Sequence, residues 1–277
     1  MAYFNHGDVR LHYQHLVAPE EIAPDAIIVG LHGLVMDNLS SLYFTLGPPL
    51  TQAGFSLLLI DIRGHGLSAR PAKGYRVSAL VEELRAFLSM TPEAEGKSIY
   101  LLGNSFGALL GLEFARRWPS ELAGLILIDP HLYDSAFQTR LTETLSLQGE
   151  ARDLKIAENF QRWLGRHQKR RSRRLAVRAR ALVEETSLIE ELRAEPATEL
   201  ENFRKINCPT LALYGEESDA RGSAAPLQAT LPLLELCWFP GCSHSLIWEA
   251  GAALPERLID WLKLHASLTA PEAPEGE

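Results

Sequence analysis

Tyr100 to Gly111 reads YLLGNSFGALLG, an apolar stretch broken by Asn104 and Ser105. Gly103, Ser105 and Gly107 fit the pattern G-x-S-x-G, with an apolar strand pattern before it and an apolar helical pattern after it. On a sharp strand-to-helix turn a serine hydroxyl is pushed out above the sheet. Side chains at the flanking glycines would collide with neighbouring backbone. The next amide, that of Phe106, falls at a helix N-terminus, which favours a developing oxyanion. The chemistry this permits is nucleophilic attack on an acyl carbon.

A serine hydroxyl needs a base, and the base needs a carboxylate to fix its tautomer. His244, in FPGCSHSLIWE after the last strand pattern, is the candidate base. Asp219, in YGEESDARG after the preceding strand pattern, is favoured as the acid. Glu216, Glu217 and Asp129 compete for that role. The chain order Ser105, Asp219, His244 suits a constellation built on strand ends of an α/β sheet.

The elements that must position these residues follow from the hydropathy pattern. YFNHGDVRLHYQHL carries turn residues between two β-like arms and predicts a hairpin. Short apolar runs at 26–33, 56–64, 98–103, 122–129, 209–215 and 233–241 predict strands covered on both faces, as in a parallel sheet. Helical patterns lie between them. Val77, Leu80, Val81, Leu84, Phe87 and Leu88 form one stripe. Residues 106–114 are apolar nearly all round, and Leu254, Leu258, Trp261 and Leu262 mark a last helix with Pro255 in its first turn. Alternating strands and helices predict an α/β fold with right-handed crossovers.

Four motifs together resemble the α/β-hydrolase superfamily, in its serine esterase and thioesterase branch, from the hairpin to about residue 267. They are GLHGLV at 30–35, DIRGHGLSARP at 61–71, LGNSFGALLG around Ser105, and PGCSHSLIWE around His244. The resemblance implies a mostly parallel sheet flanked by helices, with an inserted helical cap. It also implies that the backbone N–H groups of Leu34 and Phe106 form the oxyanion hole. Many members carry the acid at the place of Ser218, one residue before Asp219. Asn104 stands where many carry histidine, and a side chain pointing away from the hydroxyl is expected to leave the chemistry alone. The serine argues against the dehalogenase and epoxide-hydrolase branches, which use a carboxylate there.

The resulting layout is a core in two parts, 1–130 and 206–267, a helical cap over 131–205, and a disordered tail at 268–277. No strand pattern occurs in the cap, which includes LKIAENFQRWLGRH and RLAVRARALVEET. Phe137, Phe160, Trp163 and Leu164 are candidates either to line an acyl pocket or simply to pack the cap. From Arg162 to Arg180 there are nine Lys or Arg and no Asp or Glu, in a chain of net charge -8. This stretch reads as a solvated helix face, or as a surface for CoA or an acyl carrier protein.

Composition narrows the rest. A net charge of -8 over 277 residues argues against general nucleic-acid binding. No apolar run reaches a membrane span, and the start lacks a signal-peptide pattern, so no membrane contact is expected. Cys208, Cys237 and Cys242 form no disulfide framework, which suits a reducing cytoplasm. Neither a metal nor a cofactor is expected. The histidines are scattered, and His12 and His15 are placed on opposite faces of a strand. GHGLSA at 64–69 has dinucleotide-site spacing, but Arg70-Pro71 and Gly74 argue against the helix such a site needs. Asp61 and Arg63 are expected to brace a loop.

The function expected is hydrolysis of a carboxylic ester or thioester through an acyl-enzyme. The alternatives on this scaffold are C–C bond hydrolysis, acyl transfer or cyclisation, and a non-catalytic small-molecule receptor.

Overall fold

The computed structural model describes residues 2–20, 22, 25–149, 151 and 169–266. Eight strands form one sheet: β1 Ala2–His6, β2 Val9–Leu16, β3 Ala26–Leu31, β4 Leu57–Ile60, β5 Ser98–Asn104, β6 Gly124–Ile128, β7 Thr210–Gly215 and β8 Leu234–Phe239. Their spatial order is β1-β2-β4-β3-β5-β6-β7-β8. The hairpin β1–β2 and the pair β2–β4 are antiparallel, and the remaining pairs are parallel. This is the α/β-hydrolase architecture.

The helices among the described residues are α1 Ser40–Thr45, α2 Gly47–Gln52, α3 Val77–Met90, α4 Phe106–Arg117, α5 Ser135–Leu145, α6 Lys169–Glu185, α7 Leu188–Arg193, α8 Ala224–Thr230, α9 Leu246–Glu249 and α10 Ala253–Ala266. None is long and apolar enough to cross a membrane.

Period-two alternation sends strand side chains to two separate cores. Ile27, Val29 and Leu31 of β3 join Leu101, Leu125 and Leu127 in a core closed by Val81, Leu84 and Phe87 of α3 and by Leu109, Leu112 and Phe114 of α4. Ile28 joins Leu57, Leu102, Ile126 and Leu213 in the opposite core, closed by Leu42, Leu50, Leu258, Trp261 and Leu262. Each fully buried aliphatic side chain contributes about 1.5–3 kcal/mol. Strands buried on both faces therefore fix the register of the central sheet firmly, and with it the position of its carboxyl ends.

β8 departs from the expectation of two covered faces. It is an edge strand, half-buried along its length, with Trp238 stacked on Tyr214 and 41% exposed. β4 also stops short of the expected run, at Ile60; the Asp61 amide still donates to the His12 carbonyl while its carboxylate serves a loop.

Between β6 and β7 the described residues contain helices and a 3-10 turn and no strand. Residues 152–168 lie outside the described residues, so Phe160, Trp163, Leu164 and the segment around them are not placed. The proposed tail at 268–277 also lies outside them. α7 is joined firmly to the core. The Glu191 carboxylate accepts from the amides of Gly74, Tyr75 and Arg76, each at 2.8 Å, and Glu195 accepts from Val77 at 3.1 Å. These amides run into the first residue of α3, Val77, and α3 has no side-chain cap of its own. The inserted segment thus supplies the anionic cap that a helix N-terminus favours.

Candidate active site

Ser105 sits between the end of β5 and the start of α4 with φ 53° and ψ −109°. Non-glycine residues rarely adopt positive φ, and here both neighbours hold it. The Ser105 amide donates to Ile128 at 2.8 Å, and its carbonyl accepts from Ala108 at 3.0 Å. A Cβ on Gly103 would lie 2.3 Å from the Gly107 carbonyl carbon, and one on Gly107 would lie 2.3 Å from the Leu31 carbonyl oxygen. Both clashes are with backbone, so only glycine permits β3, β5 and α4 to meet this closely. The collision anticipated from the motif is therefore present at both flanks.

Ser105 Oγ donates to His244 Nε2 at 2.9 Å. His244 stands on the loop between β8 and α9. Its Nδ1–H donates to Asp129 Oδ2 at 2.5 Å, which fixes the tautomer with an unprotonated Nε2 facing the serine. Asp129 follows β6, is fully buried and has φ 49°. Its carboxylate also accepts from the Gly215 amide at 3.1 Å and from Ser218 Oγ.

The expected acid, Asp219, is not the residue bonded to His244. Its Oδ1 is 4.0 Å from His244 Nδ1, and its side chain is 74% exposed. The reason is an offset of one residue. Ser218 is buried, caps the 3-10 turn Asp219–Ser223 by accepting from the Ala220 amide, and donates to Asp129. The next residue is turned outward. Glu216 and Glu217 are exposed as well. Burial lowers the basicity of His244, but the hydrogen bond and charge of Asp129, with the charge of Asp219, outweigh it. The net shift is upward.

Phe106 follows Ser105 as the first residue of α4, and Leu34 stands on the loop after β3. Neither backbone N–H has a hydrogen-bond partner among the described residues. The β3 loop is heavily supported. Gly33 N–H donates to Asp37 Oδ2 at 2.8 Å, and Asn104 Nδ2 donates to the same oxygen at 3.3 Å. Asn104 thus ties the end of β5 to this loop, a role its sequence position alone does not reveal. Val35 N–H donates to His65 Nε2 at 2.8 Å and has φ 63°. His65 Nδ1 donates to the Arg63 carbonyl at 2.9 Å. Burial, followed by the nearby His32, pushes His65 down to about 3, so Nε2 stays a free acceptor for Val35.

Asp61 accepts from Leu39 N–H, Leu67 N–H and His12, and Arg63 pairs with Glu83 at 2.6 Å. Both brace the loop. His12 is buried against Asp61 while His15 is exposed on the other face. No helix begins within GHGLSA.

One neighbour of the site was absent from the sequence reading. His131, two residues beyond Asp129, stacks on Phe137 at 4.3 Å and lies 4.9 Å from the His244 ring, centroid to centroid. Burial, then the adjacent His244, lowers it to about 4. His131, Asp219 and His244 can each offer one donor atom within 4.8 Å of the others.

A model of the family described as serine aminopeptidase, S33, matches residues 22–251. The chain belongs to this α/β-hydrolase family. It is therefore a hydrolase of the α/β-hydrolase superfamily. Among relatives of the family, it is 24% identical to 2-(acetamidomethylene)succinate hydrolase of Mesorhizobium japonicum, over 69% of this chain and 72% of that one. It is 33% identical to a probable serine hydrolase of Drosophila melanogaster, over 37% of this chain and 30% of that protein. The chain thus spans less than a third of this fly relative. The fold is shared with a protein described as a putative lipase from Acinetobacter baumannii AYE at TM-score 0.80 and 18% identity, covering 96% and 92% of the two chains. It is also shared with proline iminopeptidase from Mycobacterium smegmatis at TM-score 0.75 and 18% identity, covering 96% and 99%.

Proposed function

We propose that this S33-family protein is a serine hydrolase that cleaves a carboxylic ester or thioester through an acyl-enzyme. The observation that carries the proposal is the Ser105 Oγ–His244 Nε2 hydrogen bond of 2.9 Å, continued from Nδ1 to the buried Asp129. Ser105 Oγ attacks the acyl carbonyl as its proton passes to His244 Nε2. Asp129 holds the ring and stabilises the imidazolium. The amides of Leu34 and Phe106 receive the oxyanion. Collapse breaks the bond to the alcohol or thiol, which leaves with the proton from His244. Water then gives a proton to His244 and attacks the acyl-enzyme. The second collapse returns that proton to Ser105 Oγ and frees the acid.

The substrate enters beneath the segment inserted between β6 and β7, which acts as a cap. We further propose that the basic stretch of that cap contacts the anionic part of a CoA or carrier-protein thioester. A reducing cytoplasm suits the free thiols of Cys208, Cys237 and Cys242.

The test is a fluorophosphonate probe followed by a panel of p-nitrophenyl esters and acyl-CoA thioesters. Covalent labelling at Ser105 with multiple turnover on at least one ester or thioester is the expected result. Ligand-induced stabilisation without labelling or turnover overturns the proposal in favour of a receptor.

A further inference from the structure

His131 has no part in the acyl-transfer scheme, yet it occupies the same site. Its side chain is only 10% exposed and makes no hydrogen bond among the described residues. Its Nε2 approaches Asp219 Oδ1 at 3.8 Å. Its ring nitrogens are not among the fully enclosed unpartnered atoms, so they reach the space the ring shares with Asp219 and His244 and can offer a lone pair there. Stacking on Phe137 fixes the ring, and the aim of Nε2 brings it toward Asp219 and His244.

Asp219 is the second unused group. It lies 4.0 Å from His244 Nδ1, too far for a hydrogen bond, and it is exposed on a short turn that leaves it free to adjust. His131, Asp219 and His244 present two imidazole nitrogens and one carboxylate oxygen. That donor set selects a borderline divalent transition ion such as Zn²⁺, whereas Mg²⁺ and Ca²⁺ take oxygen ligands. Zinc bonds of about 2.0–2.2 Å in a tetrahedral arrangement separate the ligand atoms by about 3.4 Å. The separations of 3.8 and 4.0 Å to Asp219 Oδ1 exceed that value slightly and all three atoms lie within 4.8 Å of one another, so the ligands draw together on binding, and the exposed Asp219 carboxylate has the room to do so.

We propose that His131, Asp219 and His244 bind a divalent transition ion, Zn²⁺ foremost, and that the bound ion switches catalysis off. The ion takes His244 at Nδ1 and releases the Nδ1 proton to solvent. Asp129 loses the hydrogen bond by which it orients the ring, and Nε2 is drawn away from Ser105 Oγ. Binding stands on the donor geometry alone. The inhibition rests on the serine-hydrolase reading above.

The experiment uses the full chain, stripped with EDTA and dialysed. Co²⁺ is titrated while its visible d–d absorption is followed, and Zn²⁺ is titrated against turnover of a p-nitrophenyl ester. The expected result is reversible Zn²⁺ inhibition, restored by EDTA. His131→Ala and Asp219→Asn should retain metal-free turnover within about threefold, since neither touches Ser105 or holds His244. Both should raise the Zn²⁺ concentration for half-inhibition by at least ~10-fold, the scale on which even supporting groups tune metal affinity. Asp219→Asn changes only an exposed side chain, so folding does not confound it. Unchanged half-inhibition in both variants overturns the proposal, as does a wild-type protein that gives no Co²⁺ spectrum. A Co²⁺ spectrum lost in His131→Ala supports the site even if no ester is hydrolysed.

Discussion

Asp129 and His244 share a 2.5 Å hydrogen bond that links the end of β6 to the loop after β8. Asp219 offers a second carboxylate to the same nitrogen, 4.0 Å away. Only the bonded residue can fix the imidazole tautomer. Asp129→Asn should therefore lower kcat by about 10³–10⁴, whereas Asp219→Asn should change it by less than about threefold, as expected of an exposed charge without a hydrogen bond. Both are measured on an ester at equal folded concentration with chelator present. A deeper loss in Asp219→Asn would return the acid to the position expected from the sequence.

The backbone at Ser105 makes a second prediction. Ser105→Ala should lose about 10⁶ in kcat and leave the fold intact. Ser105→Gly should be equally inactive but more stable than Ser105→Ala by about 1 kcal/mol. Glycine relieves the positive φ, at a partial loss from added freedom in the unfolded chain. Thermal unfolding of the two variants decides it, and equal stability would mean that the turn is not strained.

Much of the fold was legible because its signals are local. The apolar runs that became β3, β5, β6 and β7 differ sharply from the helical stripes of α3 and α10. The elbow was legible too, because G-x-S-x-G encodes a steric requirement that Gly103 and Gly107 satisfy directly. The carboxylate bonded to His244 was not, because a spacing rule cannot tell which of two adjacent residues faces inward. Ser218 and Asp219 differ in burial, not in pattern. A physical signal did exist. Asp129 ends an apolar run in the sheet's centre, where a carboxylate is costly unless several donors meet it, and three do. The roles of His65, Asn104 and His131 depend on contacts across 30 or more residues, as the Val35–His65 bond illustrates, and no local pattern announces them.

His65 makes a prediction about acid stability. Its folded-state value of about 3 lies below the ordinary 6.5, so the unfolded chain takes up the proton first. The stabilisation is complete above about pH 6.5 and is lost as pH falls toward 3, with a slope of up to ~1.4 kcal/mol per pH unit. His65→Gln can still accept from Val35 but should remove that slope from denaturant titrations run across the range. If it also shifts the Leu34 amide, kcat should fall by about tenfold with little change in KM. An unchanged acid slope would rule out His65 as its source.

Glu191 couples the inserted segment to α3. Its carboxylate is held below the ordinary value: burial opposes this, but Ser187 and the three amides outweigh it. That contribution is present above pH 4.5 and is lost as pH falls through the depressed folded-state value. Glu191→Gln should cost about 1–2 kcal/mol at neutral pH, since a neutral amide oxygen accepts less well from three donors. The difference from wild type should vanish in acid. A constant difference at every pH would assign the loss to packing instead.

The basic stretch supplies the last test. Arg170, Arg171, Arg173 and Arg174 belong to α6, in the segment inserted between β6 and β7. Changing all four to Gln should raise KM for an acyl-CoA or carrier-protein thioester. The effect should shrink with added salt, because exposed charges are screened over about 10 Å at 0.1 M. Turnover of a small neutral ester should hardly change, since Ser105, Asp129 and His244 stand just past the ends of β5, β6 and β8 and not on α6. The deciding quantity is the ratio of the two kcat/KM losses followed against ionic strength. Equal losses on both substrates would mean that the substitutions merely loosened the inserted segment. No loss on either would mean that this stretch is a solvated helix face, with substrate recognition residing elsewhere.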